Sequence, residues 1–129
     1  MDRVTLLKKG VHGVFVHTKD LKRSAEWYSW LLGLPFEHSK VESPVYNLPV
    51  SEGVYLTIDD HSFDPDHTFR PVETPVFNFL SDDLKGSYER MQSEGVKVIR
   101  EIEQHGDFGW FNVEDPDGNT VMICGTIVS

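Results

Sequence analysis

The sequence predicts an α+β domain built from one βαβββ module used twice, and three observations carry that prediction. Strand-like and helix-like segments recur in the same order in both halves of the chain. Asp20-Leu21-Lys22 is answered by Asp83-Leu84-Lys85 at the head of the second helix, and Gly33 by Gly95 at its end. Glu52-Gly53 and Asp117-Gly118 each stand just before a strand. A unit of about sixty residues seen twice means paired modules, because a solenoid needs about three or more repeats. Module 1 falls at about 10–60, a linker at about 61–73 and module 2 at about 74–126, within a single domain over 1–129.

Gly10 to Thr18, with Val14-Phe15-Val16 at its centre, has the β-branched and aromatic content of a strand. A helix follows. Asp20 caps it, Leu21, Ala25, Tyr28, Leu31 and Leu32 form an apolar stripe at helical spacing, and Gly33 ends it. Trp27 and Trp30 fall beside that stripe, at the margin of a core or near an interface. Three shorter strands are then expected at 36–41, 45–50 and 54–58, separated by Ser43-Pro44 and Ser51-Glu52-Gly53. From Asp59 to Thr74 the chain is polar and holds Asp59, Asp60, His61, Asp64, Asp66 and His67. Their spacing matches no established ligand pattern, so a solvated linker is expected there.

In the second module, 75–80 reads as an apolar strand and Asp82-Asp83 caps a helix carrying Leu84, Tyr88 and Met91. Gly95 closes that helix before a strand at 96–99. Gln104-His105-Gly106-Asp107-Phe108-Gly109 reads as a connecting loop or, given its glycines, a mobile flap. The last stretch, Trp110 to Cys124, is a β-hairpin around Asp115-Pro116-Asp117-Gly118-Asn119, where Pro116 presets φ and Gly118 takes a conformation costly to other residues.

Composition narrows the function classes. Of 129 residues, 39% are hydrophobic and 26% charged, an ordinary globular balance. A formal charge of −9 repels nucleic acid and anionic membrane and tolerates a cationic ligand. Cys124 is the single cysteine, so no internal disulfide can form. The first ten residues lack the apolar core of a secretory leader and no apolar run reaches membrane-spanning length, so a soluble cytoplasmic protein is expected.

The paired module order, the run Asp20-Leu21 … Trp27-Tyr28 … Leu32-Gly33-Leu34 and the turn Asp115 to Asn119 together resemble the vicinal oxygen chelate superfamily of glyoxalase I, bleomycin-resistance proteins and extradiol dioxygenases. The resemblance covers nearly the whole chain. It implies curved mixed sheets wrapped around a cavity, helices on the outside, and a homodimer, with Trp27 and Trp30 near the contacts. Metal-using members carry ligands on the first and last strand of each module, where a divalent ion polarises vicinal oxygens of the substrate.

Counted from Asp20, Asp83 and Asp115, those ligand positions fall on Gly13, Val76, Thr57 (or Leu56) and Met122. A hydrogen atom, an isopropyl group, a lone hydroxyl and a thioether are poor ligands for a hard divalent ion. The resemblance therefore implies a degenerate site, and neither metal nor cofactor is expected. Strand alternation then turns Phe15, His17, Asn78, Leu80, Trp110, Asn112, Thr120 and Cys124 to the same side as Met122. Of these, Phe15, His17, Asn78, Trp110, Asn112, Thr120 and Met122 are the expected pocket lining, mostly apolar with a few polar groups. The same side chains could instead fill a core.

No nucleophile–base pair is legible, and His17, His38, His61, His67 and His105 suit acid–base chemistry only if the fold unites them. Three function classes follow: a metal-free binder of a small aromatic or cationic organic molecule, like the bleomycin-resistance branch; a metal-dependent lyase, isomerase or dioxygenase; and a dimeric interaction module with a vestigial cavity. The first leads, because the family ligand positions are empty of ligands.

Overall fold

The structure, a computed structural model, describes residues 6–127. The outer ends of the 1–129 domain and the first five residues of the stretch read against a leader lie outside it. Seven strands and two helices are arranged in two sheets. Sheet one has the order β1-β3-β2, with β1 (Gly13–His17), β2 (Val45–Ser51) and β3 (Val54–Asp59). Sheet two has the order β4-β7-β6-β5, with β4 (Asn78–Leu80), β5 (Val98–His105), β6 (Phe108–Glu114) and β7 (Thr120–Thr126). In each module the first strand runs parallel to the last, β1 on β3 and β4 on β7, although sheet one has one strand fewer than the expected βαβββ unit.

Helix α1 (Leu21–Leu32) forms where the stripe places it. The Asp20 side chain accepts from the Arg23 N–H, and Gly33, at φ 68°, donates its N–H to the carbonyls of Ser29 and Trp30. Helix α2 (Leu84–Ser93) repeats the cap, the Asp83 carboxylate accepting from the Gly86 N–H. Each helix packs on its own sheet, and the core lies between them. Val16, Leu21, Ala25, Tyr28, Leu48, Leu56 and Ile58 fill it from module 1, and Leu84, Met91, Phe111, Val113, Val121 and Ile123 from module 2. Among the described residues no helix is long and apolar enough to cross a membrane.

Three expected elements differ. Residues 36–41 form no strand; His38–Lys40 is a 3₁₀ turn. Only Phe36 and Val41 pack on the core there, with four polar residues between them, so no alternating apolar face exists to stabilise pairing. The strand expected at 75–80 begins at Asn78, after Pro75, which has no N–H to give a ladder. The strand expected at 96–99 begins at Val98 and runs to His105. His105 pairs with Phe108 around Gly106, at φ 64°, so 104–109 is a β-hairpin end and neither a loop nor a flap.

Candidate functional site

The turn at Asp115 to Asn119 ties the modules together. Asp115, 5% exposed, accepts from the Tyr28 hydroxyl at 2.6 Å, from the Asn119 side-chain amide at 2.9 Å and from the backbone N–H groups of Asp117 and Asn119. Burial raises the pKa of the Asp115 carboxyl, and these donors oppose the rise. Burial first and then the Asp115 charge push the Tyr28 hydroxyl well above its ordinary value, so it remains a donor. Asp117 accepts from the Thr18 hydroxyl and pairs with Arg23 at 2.7 Å, while the Asn119 amide donates to the His17 carbonyl at 3.0 Å. The turn is thus a polar clamp holding α1 and the end of β1.

On the sheet faces away from the helices, the side chains alternate as the period of two requires. In sheet one Gly13, Phe15 and His17 stand level with Tyr55, Thr57 and Asp59. In sheet two Asn78 pairs with Met122, which has Asn112 on its other side, and Leu80 pairs with Cys124, which has Trp110 on its other side. Phe15 is 56% exposed, Leu80 75% and Val76 76%, so this surface carries large apolar groups in contact with solvent. Between the sheets a cleft of about 390 Å³ is lined by Val14, Val50, Ser51 and Val54 from one module and Phe77, Asn78, Phe79 and Leu80 from the other. A second cavity, bounded by Phe15, His17, Val76, Asn119 and Thr120, measures about 20 Å³, room for one water molecule.

The seven expected lining residues are therefore on one surface but not in one closed pocket. Phe15 and Asn78 are exposed, His17, Trp110, Thr120 and Met122 are half-buried, and Asn112 is buried. The Asn112 Oδ1 has no partner among the described residues, and the Trp110 indole donates to Glu103 at 3.0 Å. Asn78 lies 3.8 Å from the Met122 sulfur. Gly13, Val76, Thr57 and Met122 bring no good ligand together.

The linker expected from Asp59 onward is solvent-exposed over most of its length, but Asp59, His61 and His67 depart from that expectation. Asp59 is the last residue of β3 and 5% exposed, and parallel pairing sets it opposite His17. His61 takes the left-handed conformation, at φ 57°, and its N–H donates to Asp59 Oδ1 at 2.8 Å. That turn brings His61 Nε2 to 2.5 Å from His17 Nδ1 and 3.7 Å from Asp59 Oδ2. His67 stacks on His61 with ring centroids 3.6 Å apart, and its Nε2 is buried without a partner among the described residues. Burial and then His61 lower the pKa of His17, against the pull of Asp59. His38 and His105 lie apart, His38 paired with Glu26 on the surface. Sequence reading saw His61, His67 and Asp59 but not their union with His17; the signal available was the parallel pairing of β1 with β3, which fixes Asp59 opposite His17.

Trp27 and Trp30 line an open hollow on the far side of α1 with Arg23, Glu26 and Pro116. Trp30 is 38% exposed and Trp27 half-buried, as expected for residues beside the stripe.

Solved structures share this architecture. A lactoylglutathione lyase from Agrobacterium tumefaciens superposes with a TM-score of 0.68 at 16% identity, over 92% of this chain and 94% of that one. Oxidase ChaP-H2 superposes with a TM-score of 0.68 at 20% identity, over 92% and 94%. A glyoxalase/bleomycin resistance protein/dioxygenase from Alicyclobacillus acidocaldarius gives 0.62 at 14% identity, over 93% of each chain. These likenesses establish the fold. No curated protein matches the chain. The model of the Glyoxalase/Bleomycin resistance protein/Dioxygenase superfamily matches residues 10–123, and the chain belongs to that superfamily.

Proposed function

We propose that the chain binds a small organic molecule, aromatic or cationic, on the surface between its two sheets, as a homodimer and with no metal at the four family positions. The observation that carries this reading is the exposure of Phe15, Val76 and Leu80 on that surface. Scattered apolar residues are ordinary on a protein surface, but several large ones on one face mark a binding or interaction site. The cleft of about 390 Å³ that Asn78 and Leu80 line falls within the size range of small-molecule sites. Buried Asn112 offers an unpartnered Oδ1 that accepts from a ligand N–H or O–H. The ring faces of Phe15 and Tyr55, with a formal charge of −9, favour a cation over an anion.

Thermal denaturation against a panel of aromatic amines and planar aromatic cations tests the reading. A ligand at a hundredfold excess over its Kd stabilises the native state by about 2.7 kcal/mol. A saturable rise in Tm that Phe15→Ala and Asn112→Ala each abolish is expected. No stabilisation by any member, or stabilisation indifferent to both substitutions, overturns the reading and leaves an interaction module with a vestigial cavity. One observation favours a second reading, a metal-dependent lyase, isomerase or dioxygenase: the His17–Asp59–His61 cluster borders the same surface.

A further inference from the structure

We propose that His17, Asp59 and His61 form a binding site for one borderline divalent cation such as Zn²⁺, displaced along the strands from the family positions, with His67 beside it. One ligand atom from each of the three residues lies within 4.8 Å of the other two. The backbone builds the cluster. Parallel pairing holds His17 and Asp59 on the same face of adjacent strands, and the left-handed His61 returns its ring over both. Two further turns, Asp64 N–H to the His61 carbonyl and His67 N–H to the Asp64 carbonyl, fold the segment so that His67 stacks on His61.

The spacing suits an ion. Two ligands on a tetrahedral zinc with bonds of about 2.0–2.1 Å lie roughly 3.3 Å apart. The separations here, 2.5 Å for His17 to His61 and 3.7 Å for His61 to Asp59, straddle that value, so small side-chain rotations reach it. His17 Nδ1 and His61 Nε2 are partnered only by each other, and two further polar atoms of the segment go without a partner among the described residues. Asp59 Oδ1 takes the His61 N–H, but Oδ2 faces His61 Nε2 beyond hydrogen-bond distance. Next to the site, His67 Nε2 is buried with no partner among the described residues, a costly state for a polar atom. His61 itself holds a left-handed φ that a side-chain-bearing residue adopts at a cost, the kind of strain found at functional sites.

The donor chemistry selects the ion. Two imidazole nitrogens and one carboxylate oxygen favour zinc and its transition-metal neighbours over calcium or magnesium, which take oxygen ligands. The His61 N–H on Asp59 Oδ1 is the sort of outer contact that orients a ligating carboxylate. His67 is not one of the three: its ring lies nearly parallel on His61, and its ligand atom groups instead with His61 and Asp64.

The test is zinc binding by the full chain, purified without nickel resin and stripped with a chelator, measured by calorimetry and by equilibrium dialysis. One Zn²⁺ per chain is expected. His61→Asn keeps a residue that tolerates the left-handed conformation, and His17→Gln keeps a polar group on β1; each should weaken the affinity at least about tenfold. His105→Asn, far along β5, should leave it unchanged. Circular dichroism of each variant separates loss of the site from loss of the fold. No saturable zinc binding by the parent, or binding indifferent to both His17→Gln and His61→Asn, overturns the proposal. Cation binding that persists when no small organic molecule stabilises the chain would refute the binder reading and leave the cation site standing.

Discussion

Replacing Tyr28 with Phe removes one oxygen from the centre of the molecule and tests whether the clamp between the modules is electrostatic or merely packed. The ring is fully buried, and Phe fills the same space, so no cavity opens. What is lost is the 2.6 Å hydrogen bond from the hydroxyl to Asp115 Oδ2. Bonds to a charged group are worth about 1.5–3 kcal/mol. Asp115 keeps the Asn119 amide on the same oxygen, which places the expected cost near the lower half of that range, about 2 kcal/mol at pH 7.

The cost should depend on pH. Burial already raises the Asp115 pKa, and the Tyr28 donor is the first of the groups opposing that rise, so removing it raises the pKa further. A carboxyl whose folded pKa exceeds its unfolded value contributes stability below the unfolded value, about 3.9, and loses it as pH climbs through the folded one. The variant's larger rise means a larger loss at neutral pH. The penalty should therefore shrink from about 2 kcal/mol at pH 7 toward about 1 kcal/mol at pH 3, where only a neutral hydrogen bond is missing. Denaturant melts of parent and variant at one protein concentration, at both pH values, measure this. A difference below about 0.5 kcal/mol at pH 7, or the same difference at both pH values, refutes a charged Asp115 as the acceptor that Tyr28 satisfies.

Three shorter predictions follow from single residues or surfaces. Ser24 is fully buried in α1 with its hydroxyl unpartnered among the described residues, so Ser24→Ala should raise stability by up to about 1 kcal/mol; a loss of stability would mean the hydroxyl has a partner. Met122 is half-buried beside exposed Asn78, so a carboxylate in Met122→Glu reaches water and should cost under about 1 kcal/mol, against the few expected of a buried charge, as a urea melt at pH 7 would read. Light scattering at high concentration should give twice the 14.8 kDa chain mass, and a monomer would sink the dimer proposal.

The parts of the fold legible in the sequence are those with a local physical signature. The stripe from Leu21 to Leu32 and the caps Asp20 and Gly33 define α1 by themselves, and Asp83 does the same for α2. The alternation of Val121 and Ile123 against Thr120 and Met122 tells the two faces of β7 apart. Residues 36–41 carry strand propensity at their ends but have no alternating face, so they form a 3₁₀ turn instead. The hairpin end at 104–109 was misread because its strand residues Gln104 and His105 are polar and exposed, so pairing with β6 alone makes them strand. The histidine cluster was not legible for a different reason. Its members come from positions 17, 59, 61 and 67, and spacing along the chain says nothing until the β1–β3 register is known.

That register also explains why the family positions and the histidine cluster are not alternatives at one place. Gly13 and His17 lie on the same face of β1, with Phe15 between them, and their partners on β3 are Tyr55 and Asp59. A Cβ at Gly13 would stand 3.3 Å from the Tyr55 carbonyl oxygen, a backbone atom of a central strand that cannot readily give way. Histidine at 13 would therefore need the β1–β3 ladder to shift, and such overpacking costs about 1–3 kcal/mol. The strands here are packed for glycine at that end and for polar side chains at the other. Close approach of the backbones at Gly13 leaves the middle of the face to Phe15 and Thr57, and on this face imidazole and carboxylate converge where β3 ends and the chain turns at His61. In this chain the apolar groups and the donor groups occupy successive stretches of one face, which is the arrangement required if an organic ligand and a cation are to lie side by side.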